Sequence, residues 1–229
     1  MQKVSKIIRN ILENPKVAYN YVVWEFLSLF YSRNIDEGGG RIVVRGNSIK
    51  LEIKKGKNAQ FNVYGRLTLT PFAYASSPIT ISIADGGVLN VYGDFMLGEG
   101  VRISVANKAI LSFGGKDIES ASGITGKSLI MANKKIEIGK DFICAWDVFI
   151  TDSDWHTIND KSHQKDVIIG DHVWIANNSN ILKGSVIGNN CIVSSCSKVG
   201  NTTYGNSVMI GGMPAKVLKE NVSWKRDII

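Results

Sequence analysis

The sequence predicts an all-β chain, a left-handed parallel β-helix of hexapeptide repeats with a short N-terminal helical segment. Three observations predict it. From Ile169 the chain divides into sixes: "IGDHVW", "IANNSN", "ILKGSV", "IGNNCI", "VSSCSK", "VGNTTY". Their first positions are Ile169, Ile175, Ile181, Ile187, Val193 and Val199, all β-branched. Their fifth positions are Val173, Ser179, Ser185, Cys191, Ser197 and Thr203, all small or compact. A six-residue period fits neither a 3.6-residue helical face nor the two-residue alternation of a flat strand. It does fit coils of three short strands, in which residues eighteen apart stack. Finally, 23 Gly and only 4 Pro suit many tight corners, where Gly and Asn accept positive φ.

Residues 1–34 form a separate helical segment, with Ile8, Ile11 and Leu12 on one side and Pro15 either dividing two helices or beginning the second. Capping the coil or packing on a neighbour is its first reading; a peripheral contact with a membrane surface is the second. The run "YNYVVWEFLSLFY", Tyr19 to Tyr31, is shorter than a bilayer span and carries Glu25, so it is not read as a transmembrane helix. No signal-peptide pattern is present. Cys144, Cys191 and Cys196 form no C-x-x-C pair, which points to buried thiols in a reducing compartment. A cytoplasmic chain, at most at the inner membrane surface, is expected. The net charge of +7 suits a polyanion, an anionic membrane face or a phosphorylated cofactor. The aromatics do not interleave with a basic stripe, so nucleic acid is not an expected partner.

The β-helix is assigned to residues 35–212. Ile169 is expected under Ile187, Ile175 under Val193 and Ile181 under Val199, with the beat extending upstream to Ile138, Cys144 and Ile150. Earlier the beat weakens into alternating strands, and "NVYG" at 62–65 and again at 90–93 marks a degenerate repeat. Residues 213–229 are read as a C-terminal tail.

One stretch breaks the rhythm. "FITDSDWHTINDKSHQKDV", Phe149 to Val167, gathers two of the three histidines among Asp, Ser and Trp. Ile150 and Ile169 are 19 residues apart, one more than a full coil. The stretch is therefore a distorted coil or a loop with 13 residues beyond the normal six, and its polarity favours a loop over 151–167.

The ordered set "DSDWH", "VIIGDHVWIA" and "GGMPAKVLK" resembles the hexapeptide-repeat acyltransferases, and most closely their sugar and polysaccharide O-acetyltransferase branch, related to the maltose and galactoside acetyltransferases. The chain departs from that pattern at Ala176, where the family has Gly, at Ser194 to Ser197 in place of G-A-G-S, and at Met213 in place of Asn. The resemblance implies acetyl-CoA as acyl donor, a homotrimer with sites between subunits, and a carbohydrate or nucleotide-sugar acceptor in bacterial surface-polysaccharide (capsule or O-antigen) synthesis. It implies His156 as the base that takes the acceptor's proton, a task suited to imidazole. Asp152 or Asp154 is available to orient it. The resemblance also places Trp174, Ala176, Ser194, Ser195 and Lys216 at the donor, and Asn133 and Asp147 at the acceptor. His163 is read as a solvated loop residue and His172 as an outward coil residue. Their spacing from His156 does not resemble a three-imidazole metal site, and no metal is expected. Transfer to an amine, on an amino sugar or a xenobiotic, and a scaffold that has lost catalysis are the alternatives.

Overall fold

A computed structural model of the chain describes residues 14–72, 77–115 and 122–226. Among these residues the strands visit three faces in rotation, so the chain winds up a triangular prism. Face I begins with Arg41–Val44 and holds nine strands. Face II begins with Leu51–Lys55 and face III with Gln60–Val63, and each holds seven. Coil-to-coil pairing is parallel throughout, and Val208–Gly212 pairs antiparallel with Ala215–Glu220 at the far end of face I. This is the expected left-handed parallel β-helix.

The stacks follow the hexapeptide beat. Ile169 lies on Ile187, Ile175 on Val193 and Ile181 on Val199. One coil earlier, Ile138, Cys144 and Ile150 pair with Ile169, Ile175 and Ile181. All are buried, and each such aliphatic side chain contributes about 1.5–3 kcal/mol by leaving water. The buried serines of the fifth position do more than save space. Ser179 Oγ and Ser197 Oγ both donate to Ser194 O, at 2.9 and 2.6 Å, and Ser185 Oγ donates to Leu182 O at 2.6 Å.

The last repeat differs from its sequence phase. Ile187 pairs with Tyr204 and Val193 with Ile210, so this coil is one residue short. Tyr204, not the position after Thr203's hexapeptide, turns inward, and its hydroxyl donates to Ala215 O at 2.8 Å.

Strands up to Lys135–Ile138 have four or five residues and most send two side chains inward, as Ile42 and Val44 do; those from Trp174 to Tyr204 have two residues and send one. The wider early core is filled by Phe61, Phe95 and Phe113. This is why the six-residue beat fades there. The two "NVYG" runs nevertheless stack: Asn62 pairs with Asn90, and the Tyr64 and Tyr92 rings lie 4.9 Å apart.

At the vertex between faces III and I, Asp171, Asn189 and Asn206 each accept from a backbone N–H of the coil before, at 2.7–2.8 Å. A Cβ on Gly170 would lie 2.4 Å from Asn189 Oδ1, so the "IG[DN]" corners require Gly.

Helix α1, Pro15–Ser32, has Asn14 as N-cap and Pro15 in its first turn, so Pro15 begins this helix. The Ile8, Ile11 and Leu12 spacing lies outside the described residues. Trp24, Leu27 and Tyr31 pack on the core. Ser32 Oγ accepts from Ile42 N at 2.9 Å and Ser28 Oγ from Val44 N at 2.8 Å. The helix thereby satisfies the edge donors of the first strand, which would otherwise invite another strand.

Candidate active site

The irregular stretch leaves the prism as a finger at the vertex between faces II and III, between Phe149–Thr151 and Val167–Ile169. Ile150 and Ile181 remain in register 31 residues apart, which is one coil plus the 13 extra residues. Isolated bridges join Ser153 with Gln164 and Ile158 with Lys161, so the finger is a small irregular hairpin.

Asp152 seats it. This residue is fully buried, and its carboxylate accepts from Asn133 N, Lys134 N and Lys135 N at 2.7, 2.8 and 2.6 Å. Its carbonyl accepts from Lys165 N at 2.9 Å, closing the base of the finger. Ser153 Oγ bonds His163 Nδ1 at 3.0 Å and accepts from Trp155 N at 2.9 Å. His163 is therefore a brace inside the finger, half-buried, and not the solvated residue expected.

Trp155 adopts φ 64°, a left-handed conformation costly for a bulky side chain. The strained residue immediately precedes His156. His156 is exposed, and its imidazole makes no hydrogen bond among the described residues. Neither nearby carboxylate bonds it: Asp152 is held by the backbone, and Asp154 pairs with Lys183. Asn133 lies beside the finger, its side-chain oxygen accepting from Gln164 Nε2.

The other candidate residues lie along a different vertex, between faces I and II. Asp147 forms its corner at φ 58°, Asn178 the next and Cys196 the one after, and Ala176, Ser194 and Ser195 are their neighbours. Lys216, exposed, lies beyond them, paired with Gly211 across the terminal hairpin. The N–H groups of Ala176 and Ser194 are committed to Val193 O and Ile210 O, both at 2.9 Å. The Ser194 hydroxyl has no partner among the described residues. Ser195 Oγ donates to Asn177 Oδ1 at 2.8 Å.

Trp174 faces outward on face I beside this vertex and lines a cleft of about 550 Å³. Trp146, Trp224, Lys225 and Arg226 line it too. Trp224 and Arg226 come from the segment after the hairpin, which folds back over face I. Trp224 stacks on His172, and Arg226 bonds Asp141 Oδ1 at 2.6 Å. His172 does point outward, as its coil position requires, but the chain's own C-terminal segment covers it. Sequence reasoning missed the Trp224 wall because no periodicity extends to that residue. Trp146 carried a usable signal, an aromatic at an outward position of a coil strand.

The finger and the groove are thus apart. Face I touches two vertices of the prism, and the finger leaves from the third. Among the described residues no cluster of three or more His, Cys, Asp or Glu is placed to hold a metal. Burial pushes the Cys144 thiol up to about 12 and raises that of Cys191 as well, so both are neutral fillers.

A family model for bacterial transferase hexapeptide repeats (six repeats) matches residues 166–201. An uncharacterised 24.8 kDa protein of the cps region of Klebsiella pneumoniae is 31% identical over 193 residues, covering 81% of this chain and 84% of that one. The polysialic acid O-acetyltransferase of Neisseria meningitidis is 40% identical over 107 residues, 44% of this chain and 50% of that enzyme. The crystal structure of the polysialic-acid-specific acetyltransferase NeuO superposes with a TM-score of 0.50 at 20% identity, over 81% of this chain and 89% of that one, a likeness of fold.

Proposed function

We propose that this chain, which belongs to the bacterial hexapeptide-repeat transferases and is an acyltransferase, moves an acetyl group from acetyl-CoA to a carbohydrate hydroxyl in capsule or lipopolysaccharide synthesis. The observation that carries this reading is His156: an exposed imidazole without a hydrogen bond, next to a strained residue, on a finger whose base is anchored at Asp152. An unbonded imidazole on an anchored finger keeps its ring nitrogens free to take a proton from an incoming group.

In this reading His156 takes the hydroxyl proton as the oxygen attacks the thioester carbonyl. The C–S bond then breaks, and the proton passes from imidazole to the CoA sulfur. The donor arm lies along the vertex of Ala176, Ser194 and Ser195. Two of those N–H groups are committed to coil stacking and the Ser194 hydroxyl is buried, so the exposed Ser195 is the residue left to meet it. Lys216 supplies positive charge to the cofactor's phosphates. The cleft with Trp146, Trp174 and Trp224 gives flat apolar surfaces of the kind on which a sugar ring or adenine packs.

The vertex separation supports a site completed between copies: the finger of one protomer reaches the Trp174 groove of the next, in a trimer. Among the described residues no helix is long and apolar enough to cross a membrane.

Calorimetric titration of acetyl-CoA into wild type and His156→Ala, followed by CoA release with a panel of bacterial surface oligosaccharides, tests the proposal. Equal affinity with turnover lost in the variant is expected. Undiminished turnover in His156→Ala overturns the base assignment, and no acetyl-CoA binding by either protein overturns the reading as a whole.

A further inference from the structure

Helix α1 lies across the N-terminal end of the prism. Arg41–Val44 is the edge strand there, paired on its other side with Arg66–Thr70. Its outward N–H groups at Ile42 and Val44 point along the prism axis, and they end on Ser32 and Ser28 of the helix. The helical face opposite Ser28 therefore points away from the protein along that axis. With about 100° of turn per residue, Tyr19, Phe26 and Phe30 project within roughly 20° of that direction, and Val22 and Leu29 flank them. These five side chains are 51–69% exposed. Side-by-side packing of prisms covers faces and vertices but leaves this end open.

The charge of the chain is concentrated at the same end. Residues 14–72 contain 9 Lys and Arg against 4 Asp and Glu, while residues 73–229 contain 15 of each. The helix and the first coils thus carry a net charge of +5, and the chain from residue 73 onward carries none. Arg33, Arg45, Lys50, Lys54 and Lys57 are exposed there and have no carboxylate partner among the described residues.

We infer that this end docks on an anionic lipid bilayer, with Tyr19, Val22, Phe26, Leu29 and Phe30 entering the headgroup boundary and the surrounding cations on the lipid phosphates. An apolar stripe at an end with a net excess of positive charge fits such a surface, because apolar burial and attraction to anionic headgroups act together there. A second copy of the chain is the poorer fit, since its own end carries the same positive charge. Docking sets the prism upright. The finger leaves face II four strands above Leu51–Lys55, roughly 20 Å farther from the lipid at the ordinary strand spacing.

Flotation of the full chain with phosphatidylcholine vesicles, with and without phosphatidylglycerol, tests the inference. Binding only to the anionic vesicles is expected, weakening as salt rises. The double variant Phe26→Glu, Phe30→Glu should bind at least about tenfold more weakly while keeping its thermal midpoint, since both side chains are exposed. Lys50→Glu, Lys54→Glu should weaken binding too. His156→Ala should float like wild type, so a failure of the catalytic reading leaves this result standing. No binding, equal binding to neutral vesicles, or undiminished binding by the Phe26→Glu, Phe30→Glu variant overturns the inference. So does a lower oligomer mass for that variant by light scattering, which would make the stripe a contact between copies.

Discussion

The indole of Trp224 lies flat on the imidazole of His172, with ring centroids 3.9 Å apart and planes 6° from parallel. Each side chain also meets the other residue's backbone carbonyl: Trp224 Nε1 donates to His172 O at 3.0 Å, and His172 Nε2 lies 3.0 Å from Trp224 O. His172 Nδ1 bonds Asp141 at 2.6 Å, and the same carboxylate holds Arg226. These contacts keep the C-terminal segment on face I and turn a flat strand surface into a cleft.

Trp224→Ala should release that segment. The loss is local, up to about 3 kcal/mol for a large packed ring. Limited trypsin digestion should then cut at Lys225 or Arg226 in the folded protein, and the Michaelis constant for acceptor or donor should rise several-fold. A segment still resistant to trypsin would mean that the Arg226–Asp141 pair holds it unaided.

Asp152→Ala should be among the most damaging single changes. It leaves three backbone N–H groups without their acceptor, and each buried unsatisfied donor costs about 1–3 kcal/mol. Urea denaturation should show a loss of about 3 kcal/mol or more, and Asp152→Asn a smaller one because it keeps one oxygen. Turnover should fall in both, since His156 depends on the finger's seat.

Co-expression of His156→Ala with Trp174→Ala tests the placement of the site. Each variant alone should be inactive. If the finger of one protomer serves the groove of the next, mixed trimers restore activity at about a quarter of interfaces. A mixture as inactive as its components would put both residues to work in one chain, against the vertex geometry.

The thiols give a pH prediction. Cys144 is held up to about 12 by burial, against 9.0 in the open chain, so above pH 9 the unfolded state loses a proton that the folded state keeps. Stability should be undiminished below pH 9 and fall progressively as pH rises from 9 toward 12. Cys144→Ala should flatten that alkaline decline. In the native protein near neutral pH, the exposed Cys196 should react with a thiol reagent while the buried Cys144 and Cys191 stay unlabelled.

The sequence by itself determined the prism, because a strict period has one geometric solution. Ile169, Ile175 and Ile181 repeat at the spacing that stacks them on Ile187, Val193 and Val199. The break in that period marked the finger, and a loop insertion has to leave the coil. Residues with local partners were legible for the same reason. The rest needed the tertiary structure. That Asp152 anchors backbone groups from the preceding coil, and that His172 is covered by a residue 52 positions later, are contacts between segments no period connects. The shortened coil at Tyr204 escaped notice because one missing residue leaves local composition unchanged. The tertiary structure also decided that the finger and the Trp174 groove occupy different edges of the prism. The period gives the stacking, but which corner the insertion leaves from and which outward face the C-terminal segment covers depend on contacts between distant segments.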